Sequence, residues 1–210
     1  MVDQPECYSS LAAILELSRA LRGVDNGARI ELVTANSSEI ASEIKTFCET
    51  TGHVLVEHTI EPERIHFVIE KGEPREGEPE RFVVICSSAK ADSLIRSLET
   101  ALMFRLTGHD SHLVLSGQAV VVLETDFDVV RDGGGRLFGK LALAEEAKRG
   151  YLMPEQLLVE CEREGIVIHA DGPSFDRFVG KNRDRIVVRA RFIGPVGLTK
   201  LLVGANVVSG

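Results

Sequence analysis

Apolar residues recur at every third or fourth position through residues 10–22, where Leu11, Ile14, Leu15, Leu17 and Leu21 would share one face of a helix stopped by Gly23 or Gly27. Residues 28–34 (ARIELVT) alternate apolar and polar positions and predict a strand. A second helical pattern follows over 38–51, with Ser37 or Ser38 as N-cap, Gly52 as stop, and Ile40, Ile44, Phe47 and Cys48 on its inner face. Residues 54–60 and 65–70 alternate again around Glu61-Pro62-Glu63-Arg64, the pattern of a hairpin. The expected order is helix, strand, helix, strand, strand, a compact α+β unit.

Residues 71–80 (KGEPREGEPE) interrupt the pattern with prolines, glycines and glutamates and no apolar side chain, so this stretch reads as a linker. Beyond it the strands change character. Residues 82–86 (FVVIC) and 166–170 (IVIHA) are apolar and β-branched runs suited to strands covered on both faces, which implies a parallel sheet. A helix with Leu94, Ile95, Leu98, Ala101, Leu102 and Leu106 in one stripe is closed by Gly108, and 111–116 is the next strand. Residues 118–130 have no clean period and stay open between strand and helix. Helices are expected at 140–149, 154–164 and 196–203, with strands at 186–192 and 206–208. Alternating β and α elements favour a doubly wound sheet.

The chain has 210 residues and a net charge of −8, enough for one large domain or two small ones. That acidic balance argues against binding nucleic acid, whose phosphates need Lys and Arg to displace counterions. No apolar run of about 18 residues is present to span a membrane, and the N-terminus MVDQPECYSS lacks the basic start of a secretory signal. A soluble, cytoplasmic protein is expected. Cys7, Cys48, Cys86 and Cys161 lie far apart with no CxxC pair, so free thiols are expected in place of a disulfide framework or zinc ribbon.

Residues 10–71 resemble the TusA/SirA-like sulfur-carrier domain: the helix SLAAILELSRALRGVDNG, the strand ARIELVT, a helix ending FCETTGH, and a hairpin. Residues 82–210 resemble the DsrE/DsrF-like family through FVVICSSAKADSLIRSLETALMFRLTGHDSHLVLSG, MPEQLLVECEREGIVIHADGPSFD and GPVGLTKLLVGANVVSG. The resemblance implies a small two-layer α/β sandwich over 1–71, a linker over 72–80, and a Rossmann-like DsrE-type sheet flanked by helices over 81–210. It also implies sulfane sulfur passed as a cysteine persulfide, and a homo-oligomer. Both usual cysteines are replaced. The carrier signature CPxP falls on Ser10-Leu11-Ala12-Ala13, with Cys7 three residues upstream, and Asp171 stands where a cysteine commonly follows the middle strand. Neither a hydroxyl nor a carboxylate can hold a transferable sulfur, which needs a thiolate that attacks and later leaves.

Cys86 is the best-placed remaining thiol, ending a strand ahead of a helix N-terminus, where open α/β sheets bind ligands and a helix dipole favours a thiolate. His169 as base and Asp171 as its orienter are expected along the same edge, with Ser87 and Ser88 lining the pocket. Against this, a cysteine ending a strand is also ordinary core, and a carboxylate near Cys86 would oppose its ionisation. Gly133, Gly134 and Gly135 in the DGGGR loop could present N–H groups to a phosphate, or form a lid or subunit contact, but the loop lacks the Walker lysine and serine. His109 and His112 would point to opposite faces, so no metal site is expected. Cys161, between Glu160 and Glu162, is expected to be inert. No cofactor is implied. The favoured function is binding or regulation of a sulfur-transfer protein partner; the alternatives are a sulfurtransferase or thiol-dependent reductase using Cys86, and a small-ligand sensor.

Overall fold

The computed structural model describes residues 2–4, 9–73, 79–124, 151–180 and 186–210. The chain divides into two compact units, one of Met1–Glu78 with Glu145–Leu152 and the other of Pro79–Ala144 with Met153–Gly210.

The first unit is a two-layer α/β sandwich. Its elements are β1 (Val2–Gln4), α1 (Ser10–Arg22), β2 (Arg29–Ala35), α2 (Ser38–Thr51), β3 (Val54–Ile60) and β4 (Arg64–Glu70). The sheet runs β1-β2-β4-β3, with β1 parallel to β2 and the other pairs antiparallel. Each helix starts on a serine whose hydroxyl accepts a backbone N–H: Ser9 from Ala12 for α1 and Ser37 from Ile40 for α2. Gly52 ends α2 at φ 84°, a conformation glycine adopts without penalty. Alternation on β4 buries Ile65, Phe67 and Ile69, and Leu17, Ile40 and Ile44 are among the buried positions of the two helices. Edge strand β3 carries a bulge between Leu55 and Glu57 and leaves Val54, Val56 and Ile60 exposed. After β4 the backbone crosses Gly52 so closely that a Cβ on Gly72 would run into the Gly52 carbonyl. The sequence pattern did not predict β1, which is three residues long.

The second unit is a doubly wound, Rossmann-like α/β layer. Its elements are β5 (Arg81–Cys86), α3 (Ala91–Leu106), β6 (Asp110–Leu115), a 3-10 helix (Gly117–Leu123), α4 (Pro154–Arg163), β7 (Val167–Asp171), α5 (Gly172–Phe178), β8 (Ala190–Ile193), α6 (Pro195–Leu202) and β9 (Asn206–Ser209). All five strands are parallel, in the order β8-β7-β6-β5-β9. The chain therefore steps from β5 to β8 in one direction and returns to the other side of β5 with β9, which puts the topological switch point between β5 and β9.

Strand register sorts the side chains by face. Cys86 is level with Leu115, and Leu115 with Ala170; one step earlier, Ile85 is level with Val114, and Val114 with His169. Successive positions on a strand point to opposite faces, so the two sets lie on opposite faces. The Cys86 set faces α3, where Ser111 Oγ donates to the Ala101 carbonyl. Helix α4 packs against α3, and Cys161 Sγ donates to the Leu98 carbonyl.

Three expectations change here. The periodless stretch begins as the 3-10 helix Gly117–Leu123, and its part beyond residue 124 lies outside the described residues. The strand expected at 186–192 is confined to Ala190–Ile193, because the backbone before it pairs elsewhere: Ile186 bridges Glu124, and the Val187 N–H donates to the Leu123 carbonyl. Helix α5, absent from the sequence reading, forms because Asp171 caps it and Pro173 suits its first turn. The helix expected at 140–149 lies outside the described residues.

Candidate functional site

Cys86 closes β5 beside the switch point, as its position in the sequence suggested, but it is fully buried. Its Sγ donates to the carbonyls of Ser88 at 3.5 Å and Ser93 at 3.9 Å, both in the turn and first helical residues that follow. The carboxyl edge around it is filled by its own backbone. The Ser87 carbonyl accepts the Gln118 N–H at 3.1 Å, and a Cβ on Gly117, at φ +52°, would stand 2.9 Å from that carbonyl oxygen. Ser88 Oγ accepts the Lys90 N–H at 3.2 Å, so this hydroxyl stabilises the turn into α3.

Asp171 has a comparable structural engagement. Its Oδ2 accepts the Ser174 N–H at 3.0 Å and the Ser174 hydroxyl, and Ser174 Oγ in turn accepts the Gly117 N–H at 3.0 Å. The carboxylate thus caps α5 and ties the end of β7 to the 3-10 helix. It makes no hydrogen bond with His169. Ser10 is the first residue of α1, directly after its cap Ser9. Cys7 and Gly133, Gly134 and Gly135 lie outside the described residues.

The other described thiols are sealed as well. Burial pushes the Cys48 thiol up to about 11, with a smaller contribution from the Glu49 carboxylate. Cys161 is raised further by burial and then by Glu160.

His169 lies on the face opposite Cys86, and its partner is a residue the sequence reading did not assign to a site. His169 Nε2 is 3.1 Å from His112 Nδ1, with the rings stacked at 5.4 Å between centroids. His112 Nε2 in turn lies 3.2 Å from Asp110 Oδ2, and Arg81 Nε donates to the same oxygen at 3.4 Å. Burial, then the charges of His112 and Arg191, lower the His169 imidazole from 6.5 to about 4. For Asp110, burial alone would raise the carboxyl, but the hydrogen bonds and charges of His112 and Arg81 together outweigh it and hold it below the ordinary range. His169 Nδ1 is buried without a hydrogen-bond partner.

The Asp110–His112 half of this chain was legible as an i, i+2 pair on a strand, which shares one face. His169 could be joined to it only through the β6–β7 register, 57 residues away. His109 stays apart from His112, as expected, with its ring against Phe82 and Phe104. No group of three metal-ligating side chains occurs among the described residues. No described helix is long and apolar enough to cross a membrane.

No protein-family model and no curated protein matches this chain. Among solved structures it is similar to the ychN protein from E. coli at a TM-score of 0.44 and 15% identity, over 63% of this chain and 99% of that one.

Proposed function

We propose that this chain is a cytoplasmic sulfur-relay-type protein that binds or regulates a sulfur-transfer partner and does not itself carry the sulfur. In this reading residues 1–71 are a TusA/SirA-like domain, 72–80 a linker and 81–210 a DsrE/DsrF-like domain. The observation that carries it is the burial of Cys86: the thiol best placed for transfer is fully enclosed and hydrogen-bonded to the turn that covers it. A persulfide must be reached by the donor and later by the acceptor, so an enclosed sulfur is a poor relay station. Ser10 and Asp171, standing where relatives would load sulfur, serve the starts of α1 and α5.

Self-association belongs to the same proposal. Helix α6 has no buried residue, and Val196, Val203 and Val207 are exposed along α6, its C-terminal end and β9. Such a run of apolar side chains favours a protein contact.

The test is a reconstituted persulfide transfer between a TusA-like carrier and a DsrE-like acceptor, titrated with this protein. The transfer rate should change saturably while the chain gains no sulfur by intact mass. A chain that acquires a sulfur atom and passes it to the acceptor would contradict the proposal.

A further inference from the structure

With both rings neutral, the hydrogen bonds of the histidine pair run in one direction. The Asp110 carboxylate can only accept, so His112 Nε2 carries the hydrogen and donates to it. His112 Nδ1 is then an acceptor and takes the hydrogen of His169 Nε2. That leaves His169 Nδ1 with a lone pair, on a side chain only 6% exposed, and no donor to fill it. A buried acceptor left without a donor loses the hydrogen bond it would make to water.

The adjoining strand supplies a complementary group. His169 is level with Arg191 on β8, so the two side chains leave the sheet on the same face as nearest neighbours. Arg191 is exposed and makes no ion pair among the described residues. Its positive charge beside the imidazole opposes a metal cation there and attracts an anion.

We propose that His169 Nδ1 and Arg191 form a binding site for a small anion that carries an acidic hydrogen. The guanidinium takes the negative charge and the imidazole accepts the hydrogen, while His112 and Asp110 fix which ring nitrogen is left to accept. Hydrogen phosphate has this chemistry; sulfate resembles phosphate in shape but has no hydrogen to give near neutral pH. The site is separate from the Cys86 edge, so its failure would leave the partner-binding reading untouched.

The test uses the full chain labelled with 15N at histidine, titrated at constant ionic strength and near-neutral pH with inorganic phosphate and sulfate. The His169 Nδ1 resonance should start at the position of an unprotonated nitrogen. It should shift saturably with phosphate. Sulfate should bind about tenfold more weakly or not at all, and Arg191→Gln should weaken the binding about tenfold, as for loss of a charged hydrogen bond. The proposal is overturned if Nδ1 already bears the hydrogen, if phosphate does not saturate, if sulfate matches phosphate, or if Arg191→Gln has no effect. The first three of these readings need no substituted protein.

Discussion

Cys86 and His169 project from opposite faces of one parallel sheet, Cys86 level with Leu115 and Ala170, His169 level with Val114 and Ile85. A thiol and an imidazole so placed have the sheet between them. The pairing that would make His169 a base for Cys86 is therefore replaced by two separate arrangements: a sealed sulfur at the switch point, and a polar chain from Asp110 through His112 to His169 on the other face.

Asp171 should behave as a helix cap. Asp171→Ala removes the acceptor for Ser174 and is expected to lower stability by about 1 kcal/mol, whereas Asp171→Asn, which caps nearly as well, should cost only a few tenths. Urea denaturation of the two variants distinguishes this from a role that needs the carboxylate charge, for which Asn would be as damaging as Ala.

How much of this was legible in the sequence follows from the range of the forces involved. The periodicity of Leu11, Ile14, Leu15 and Leu17, the cap at Ser37 and the stop at Gly52 are local, and α1 and α2 have the expected bounds. The β-branched runs at 82–86 and 166–170 announced a buried parallel sheet, which is present as β5 and β7. Elements set by distant partners were not legible: β1 exists by pairing with β2, and Ile186 leaves the expected strand to bridge Glu124. The end of a strand is legible for Cys86, but its burial depends on the turn that folds back over it, whose Ser88 and Ser93 carbonyls its Sγ reaches. The face of His169 likewise depends on register, because a shift of one residue reverses it.

Acid should weaken the second unit before its carboxylates titrate. His169 has a folded value of about 4 against an ordinary 6.5, so between these limits the unfolded chain binds a proton that the folded chain refuses. Its contribution is complete above 6.5 and is lost as the pH falls to about 4, with a magnitude on the order of 3 kcal/mol. The lowered Asp110 carboxyl acts with the same sign at lower pH: its stabilisation is present above the unfolded value and lost as acid protonates it in the fold. Denaturant titrations at pH 7 and 4.5 should show the fall, and His169→Gln should remove most of its slope; an equal slope in the variant would refute the assignment.

The exposed valines of α6 and its end should report on self-association. Val196 and Val203 are each 71% exposed, so Val196→Glu and Val203→Glu should fold normally and shift the molar mass seen by light scattering toward the monomer. An oligomer of unchanged mass and affinity would place the contact elsewhere.

The most direct measurement is the reactivity of the native thiols. In Cys7→Ser the remaining cysteines are Cys48, Cys86 and Cys161, all buried. The folded variant should give no fast reaction with a thiol-specific reagent and should take up no sulfur from a persulfide donor, with all the thiols appearing only on denaturation. A native protein in which Cys86 reacts at the rate of a free thiol, or gains a sulfur atom that Cys86→Ser abolishes, would contradict the account.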